Sequence, residues 1–270
     1  MARDIKKILI STMPRSGTVF LFNFIAELFE YSKLEPAFTG GFKPTPPEWD
    51  PYKFDKTYTS LANEQVLCAH YPLSEEIEKL ILQPDVLAIY LYRDPRDAAV
   101  SAALYIKNVL THHPLHNLFS ELSDSEAITF MLSGGILKTV GEQPEMGCDY
   151  LNHEGMRYFC ESALEWIAEP NVAKIRYEDL MCDTVSCLKA SLQKVGVEIN
   201  EARIRKVAAK LDFAAFSEGR KKGEENVKSH FRKGISGDFV NHFNGLHKAI
   251  CKQRIGHHLI ALGYENDLCW

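Results

Sequence analysis

Four short stretches carry side chains that could hold an anion or move a proton. The first, Arg15-Ser16-Gly17-Thr18, lies between a strand expected over residues 5–12 and a helical repeat that begins near Ser16. A turn feeding a helix N-terminus converges backbone N–H groups and the helix dipole on negative charge. Gly17 permits close backbone approach, Ser16 and Thr18 add hydroxyls, and Arg15 adds a fixed positive charge. The basic residue precedes the glycine and GxxxxGK[ST] is absent, so this is not a Walker A loop. An ordinary strand-to-helix turn with a surface Arg accounts for the local sequence equally well.

The second stretch opens with Arg93, after the apolar run over residues 86–92, and reaches Ser101 in an Ala-rich helix. A cation at the C-terminal end of a strand and a hydroxyl two turns into the next helix can converge on one phosphate. Asp94 is placed to cap that helix, Pro95 to fill its first position and Asp97 to add a capping acid. The third stretch, Arg232-Lys233-Gly234 with Gly237 beyond it, sets cations beside glycines, the composition of a phosphate nest. The fourth is His70, closing a short strand expected over residues 65–71. Strand ends in open α/β sheets face the ligand crevice, and imidazole is suited to accept a proton near neutral pH. A buried structural histidine is the plain alternative. His112, His113 and His116 do not make a metal site, because Pro114 breaks the helix that would align them and no Cys or acidic cluster completes a ligand set.

The elements that must position these residues follow from apolar patterning. Within residues 5–12, Ile8, Leu9 and Ile10 run together rather than alternate, and residues 86–92 are apolar throughout, the pattern of strands buried on both faces. Phe20, Leu21, Phe24, Ile25, Leu28 and Phe29 recur on one face of a helix. A helix over 156–168 leads to a strand over 172–177, and from Thr184 onward the chain is mainly helical, with a basic, Gly-punctuated loop near residues 219–237. Strands alternating with helices predict a single α/β domain over residues 1–270, a parallel sheet covered on both faces. Its core would span 5–182 and its helical part, with a lid over the site, 183–270. Residues 36–58, rich in Pro, Gly and aromatics, read as a long ordered loop over a pocket.

Composition bounds the rest. With 270 residues, 46% hydrophobic and 25% charged, the chain is of globular type. Its net charge of −5 argues against a nucleic-acid partner, so any anion recognition must be local. Seven Cys with no CxxC pair suit reduced thiols. No apolar run reaches the roughly 18 residues of a membrane span, and none before Pro14 resembles a signal peptide. The expected location is cytoplasmic.

Taken in order, the segments resemble the cytosolic sulfotransferase family, which transfers a sulfuryl group from 3′-phosphoadenosine 5′-phosphosulfate (PAPS) to a hydroxyl or amine. MPRSGTVF resembles its 5′-phosphosulfate loop, usually Pro-Lys-Ser-Gly-Thr-Thr-Trp, and YLYRDPRDAAVS its 3′-phosphate strand and helix. CAHYPL falls where the family has Lys-Thr-His-Leu-Pro, and KIRYEDL matches its Tyr-Glu-Asp segment. LDFAAF occupies the place of an adenine-stacking segment, and FRKGISGDFVNHF matches the signature Arg-Lys-Gly-x-x-Gly-Asp-Trp.

The resemblance implies a P-loop-like nucleotide-binding fold and an in-line displacement at sulfur, with adenosine 3′,5′-bisphosphate (PAP) as product. It makes His70 the general base and gives Arg15 a charge-neutralising role. Arg15, Ser16, Gly17, Thr18, Val19 and Phe20 would hold the 5′ end. Arg93, Ser101, Arg232, Lys233 and Gly234 would hold the 3′-phosphate, and Tyr177, Phe213 and Phe216 the adenine. Without a Walker A hydroxyl for Mg²⁺, no metal is expected.

The departures are specific. Arg15 replaces the usual Lys, Phe20 the Trp, and Cys68 a Lys before the histidine. Leu211 lacks the hydroxyl at the start of the adenine segment, and Val240, Asn244, Gly245 and Ala249 match none of the key residues of the family's dimerisation motif, so oligomeric state stays open. Two rivals are a non-catalytic nucleotide-binding relative, suggested by Arg15 with Cys68, and a P-loop kinase, opposed by the missing GK[ST]. The acceptor is a small molecule: the aromatic loop suits a flat apolar one, while Glu142, Glu145, Asp149 and Glu154 suit a cationic one.

Overall fold

Ile8, Leu9 and Ile10 expose no surface, as two-sided burial demands of a central parallel strand. They belong to β1 (Lys7–Thr12). In this computed structural model the described residues are 3–34, 56–111, 113, 115–138, 150–153 and 155–270. From β1 the chain turns into α1 (Thr18–Phe29), a short edge strand β2 (Ser32–Leu34), and, after a 3₁₀ turn (Lys56–Ser60), β3 (Gln65–Ala69). Then come α2 (Glu75–Ile81), β4 (Val86–Tyr92), α3 (Pro95–Asn108), α4 (His116–Glu121) and α5 (Asp124–Ser133). A hairpin, β5 (Gly135–Lys138) with β6 (Tyr150–His153), precedes α6 (Met156–Ala168) and β7 (Val172–Arg176). Helices α7 (Tyr177–Cys182), α8 (Thr184–Lys194), α9 (Glu201–Lys210), α10 (Phe213–Phe216) and α11 (Gly245–Ala261) complete the chain. The expected loop over 36–58 lies outside the described residues, apart from its last three.

The main sheet has the order β2-β3-β1-β4-β7, and all its pairings are parallel. The sequence predicted this single α/β domain with a parallel sheet; the antiparallel β5–β6 pair is an addition it did not foresee. Period-two alternation divides β4 between two cores. Ala88 and Tyr90 face one, with α3, α5, α6 and α11. Leu87, Ile89 and Leu91 face the other, with α1, α8 and α9. Residues beyond 183 therefore help cover both faces.

Order within the sheet decides where a site can form. Strands β3 and β4 flank β1 and are reached by connections on opposite sides, so the crevice opens beyond the C-terminal ends of these three. His70, the 13–17 turn and Arg93 follow those ends. Two buried bonds fix the end of β3: Ser11 Oγ and Trp166 Nε1 donate to the Tyr71 carbonyl at 2.6 and 2.9 Å. Trp166 is itself locked by stacking on Tyr90, ring centres 5.4 Å apart. The six cysteines among the described residues are free thiols. Among the described residues no helix is long and apolar enough to cross a membrane.

Candidate active site

A cavity of about 490 Å³ opens where the three strands end. His70, Arg15, Arg93, Ser101, Tyr177, Phe213, Phe216, Arg232, Lys233 and Gly234 all line it, with Gly17, Thr18, Val19 and Phe20. These residues come from six separated segments, and the fold brings them to one cavity.

His70 is oriented by β1. Its Nδ1 lies 2.8 Å from the Thr12 carbonyl and 2.9 Å from Thr12 Oγ1. A carbonyl only accepts, so the network assigns the ring proton to Nδ1 and leaves the lone pair on Nε2. Thr12 Oγ1 in turn meets Thr18 Oγ1 at 2.9 Å, tying the imidazole to the first turn of α1. The ring lines the cavity. Desolvation, and after it the charge of Arg15, lower its pKa below the ordinary imidazole value, against the raising effect of the bond to the Thr12 carbonyl. The shift favours the neutral ring.

The turn before α1 places Arg15 in the left-handed region at φ 65° and Gly17 at φ 97°. Gly17 is required there for a second reason: a Cβ would meet the Tyr177 ring at 3.1 Å. Ser16 departs from expectation. Its side chain is fully buried, and Oγ donates to the Met13 carbonyl at 2.5 Å, stapling the turn rather than facing the cavity. Its backbone N–H stays at the helix N-terminus, the part of the residue that an anion can still use.

Arg93 is buried, stacked 4.4 Å from the Tyr177 ring centre, and donates to Asp97 and to the carbonyls of Arg15 and Ile235. Asp97 does not cap its own helix, which Asp94 does by accepting from Arg96 N. Instead its carboxylate accepts from Gly237 N at 2.7 Å and Phe239 N at 2.9 Å, binding the far end of the glycine-rich loop to α3. Tyr177 begins α7 rather than ending β7.

The cations of that loop are paired within the protein. Arg232 reaches Glu225 and Asp238, and Lys233 reaches Asp238 at 2.7 Å. Burial alone would raise the Asp238 pKa; bonds from Lys233, Asn241 and Arg232 outweigh it and hold the carboxyl well below the usual range. Even so, Arg93 Nε and Arg232 Nε are buried with no hydrogen-bond partner. Orphaned donors on two guanidinium groups lining one cavity suit an anion.

Beside them is an aromatic wall. Phe216 meets Phe20 edge-on at 6.0 Å and Phe231 at 5.3 Å. Gly234, at φ 67°, sits where a Cβ would lie 2.4 Å from the Phe213 ring. The opposite end is apolar, lined by Ala102, Ile106, Leu110, Leu115, Met131, Met156 and Phe159. Glu142, Glu145, Asp149 and Glu154 lie outside the described residues. His112 and Pro114 do too, while His116 Nδ1 lies 2.8 Å from the Ile106 carbonyl. Among the described residues no group of three His, Cys, Asp or Glu could hold a metal.

Sequence reasoning missed Thr12, Tyr105, Arg220 and His230. Tyr105 had a signal: it lies four residues after Ser101, on the same face of α3. Arg220 had none, because its guanidinium meets backbone and hydroxyl oxygens of Ser217, Glu224, Ser229, Phe231 and Arg232 only once the loop is folded.

Comparison with known proteins identifies the family of the chain. The family profile described as "Sulfotransferase domain" matches residues 5–260, and the chain belongs to that family. Sulfotransferase 2A2 of Mus musculus is 26% identical over 253 residues, 87% of this chain and 78% of that protein. Cytosolic sulfotransferase 14 of Arabidopsis thaliana is 25% identical over 263 residues, 88% and 70%. Among solved structures, mouse sulfotransferase SULT7A1 complexed with PAP superposes with TM-score 0.60 at 20% identity, over 96% of this chain and 85% of that one. Retinol dehydratase in complex with androsterone and PAP gives 0.62 at 15% identity, over 93% and 80%. The likeness to these structures is one of fold. The family makes this chain a sulfotransferase by class.

Proposed function

We propose that this protein transfers the sulfuryl group of PAPS to a hydroxyl or amine of a small molecule, with His70 as general base. The observation that carries this reading is the His70 ring, held at Nδ1 by Thr12 and open at Nε2 to the cavity that Arg15, Arg93 and Arg232 also line. When bound, the nucleotide supplies the activated sulfuryl group. Nε2 accepts the acceptor's proton as that oxygen or nitrogen attacks. Arg15 offsets charge near the 5′ end and acts electrostatically only, since guanidinium does not give up its proton near neutral pH; burial and the neighbouring Arg93 and Arg232 lower its pKa to about 10, which leaves it charged.

Gly17, Thr18, Val19, Phe20 and the Ser16 N–H hold the 5′ end in this reading. Arg93, Ser101, Arg232, Lys233 and Gly234 take the 3′-phosphate, the orphaned Nε atoms of Arg93 and Arg232 supporting that role. Tyr177, Phe213 and Phe216 flank the adenine. No step calls for a metal. The helical part over 183–270 supplies the nucleotide lid, and the apolar end of the cavity takes the body of the acceptor. The plant relative's name supports a cytoplasmic location.

Replacing His70 by Ala tests the assignment. Turnover should fall roughly 10²–10⁴-fold, the range for loss of general-base catalysis, with PAP affinity nearly unchanged. Near-normal turnover would remove His70 from the mechanism.

A further inference from the structure

Arg15 is held on three sides. Its guanidinium carbon lies 3.9 Å from the centre of the Tyr105 ring. Nε donates to Ser101 Oγ at 3.2 Å, and Nη2 donates to the His230 carbonyl at 2.8 Å. His230 Nδ1 is 3.4 Å from Arg15 Nη1 and 3.1 Å from the Tyr105 hydroxyl. Guanidinium N–H groups only donate, so Nδ1 keeps its lone pair and the Tyr105 O–H donates to it. The two rings meet edge-on, 5.1 Å apart, and close a cradle around the guanidinium. Tyr105 comes from α3 and His230 from the glycine-rich loop, 125 residues apart in the chain.

A guanidinium differs from an ammonium in a way that gives this cradle a purpose. An ammonium is a compact charge with rotatable donors, whereas a guanidinium is a flat fork that must be aimed. We propose that Tyr105 and His230 are positioning residues that aim Arg15 at the transferring group, Tyr105 by its face and His230 by its carbonyl and ring. The inference rests on the reading of Arg15 as a ligand of the 5′-phosphosulfate. It explains how an arginine acts where the family pattern has a lysine.

A double-mutant cycle tests it, with kcat and KM for PAPS measured at fixed, saturating acceptor. In the Arg15 background, Tyr105→Leu should lower kcat/KM by roughly 2–30-fold, the range for losing a cation–π contact. Tyr105→Phe, which keeps the ring face, should retain most of the wild-type value. In an Arg15→Lys background, Tyr105→Leu should add little. Tyr105 also lines the cavity, and an effect exerted through the acceptor would persist in both backgrounds; equal losses in the two would overturn the proposal. His230→Leu lies on the exposed loop and puts the fold at little risk. It removes the ring but keeps the backbone carbonyl, so it should give a smaller loss that is likewise Arg15-dependent, and wild-type kinetics in both His230→Leu and Tyr105→Leu would also overturn the proposal. Arg15→Ala separates the layers: if turnover and PAP affinity stay at wild-type values, the reading of Arg15 itself has failed.

Discussion

His70 stands one residue beyond β3, and its environment sets the pH at which it can work. If His70 is the general base, only its neutral ring accepts the proton, and activity should be lost as pH falls through its pKa. Because that pKa is lowered by poor solvation and by Arg15, the acidic limb of kcat/KM should inflect below the ordinary imidazole value of about 6.5. An inflection above it in the wild type would contradict the geometry. Arg93 gives a second test at this scale. If its guanidinium holds a 3′-phosphate, the protein should bind PAP far more tightly than adenosine 5′-monophosphate. Arg93→Ala should erase most of that preference, since a charge-assisted hydrogen bond is worth about 1.5–3 kcal/mol. A variant that discriminates as well as wild type would place the 3′ site elsewhere. His70, Arg15 and Arg93 were legible as residues because charge beside strand ends is a local pattern. Thr12 and Tyr105 were not, because their roles depend on neighbours distant in the chain: Thr12 on His70, and Tyr105 on Arg15 and His230.

At the scale of elements, the glycine-rich loop departs most from what its sequence suggests. Residues 217–237 hold few large apolar side chains, which predicts a segment with little means to order itself. The structure supplies polar means instead. Arg220 bridges the loop from within, Gly223 N and Asn226 N pair with the carbonyls of Lys233 and Arg232, and Asp97 grips Gly237 and Phe239. Sequence patterning sees apolar period but not backbone-directed guanidinium bonds. As a lid, the loop should be partly protected from hydrogen exchange in the free protein, and saturating PAP should add protection around residues 230–237 as the Arg232 Nε atom gains a partner. Exchange rates over 217–237 that do not change with PAP would leave Arg232 as a static ligand and remove the lid. Strands β1 and β4 and helix α6 were legible to within two residues, because two-sided burial and helical period are strong signals. Strand β2 and the β5–β6 hairpin were not, since short strands at an edge lack either.

For the whole molecule, sheet order does what no single motif could. Putting β1 between β3 and β4 brings His70, the Arg15 turn and Arg93 to one crevice, and the loop carrying Arg232 closes onto it. The sequence showed the parts and their order along the chain; their convergence had to come from topology. That convergence carries the central claim, that one cavity both binds the nucleotide and deprotonates an acceptor. It is tested most directly by incubating the protein with PAPS labelled at the sulfuryl sulfur and a metabolite extract, and following the label. The account predicts label in a new organic sulfate with equivalent formation of PAP, and loss of both in His70→Ala while PAP still binds. Label that enters a product equally fast with His70→Ala, or PAP binding with no labelled product from any fraction, would contradict it.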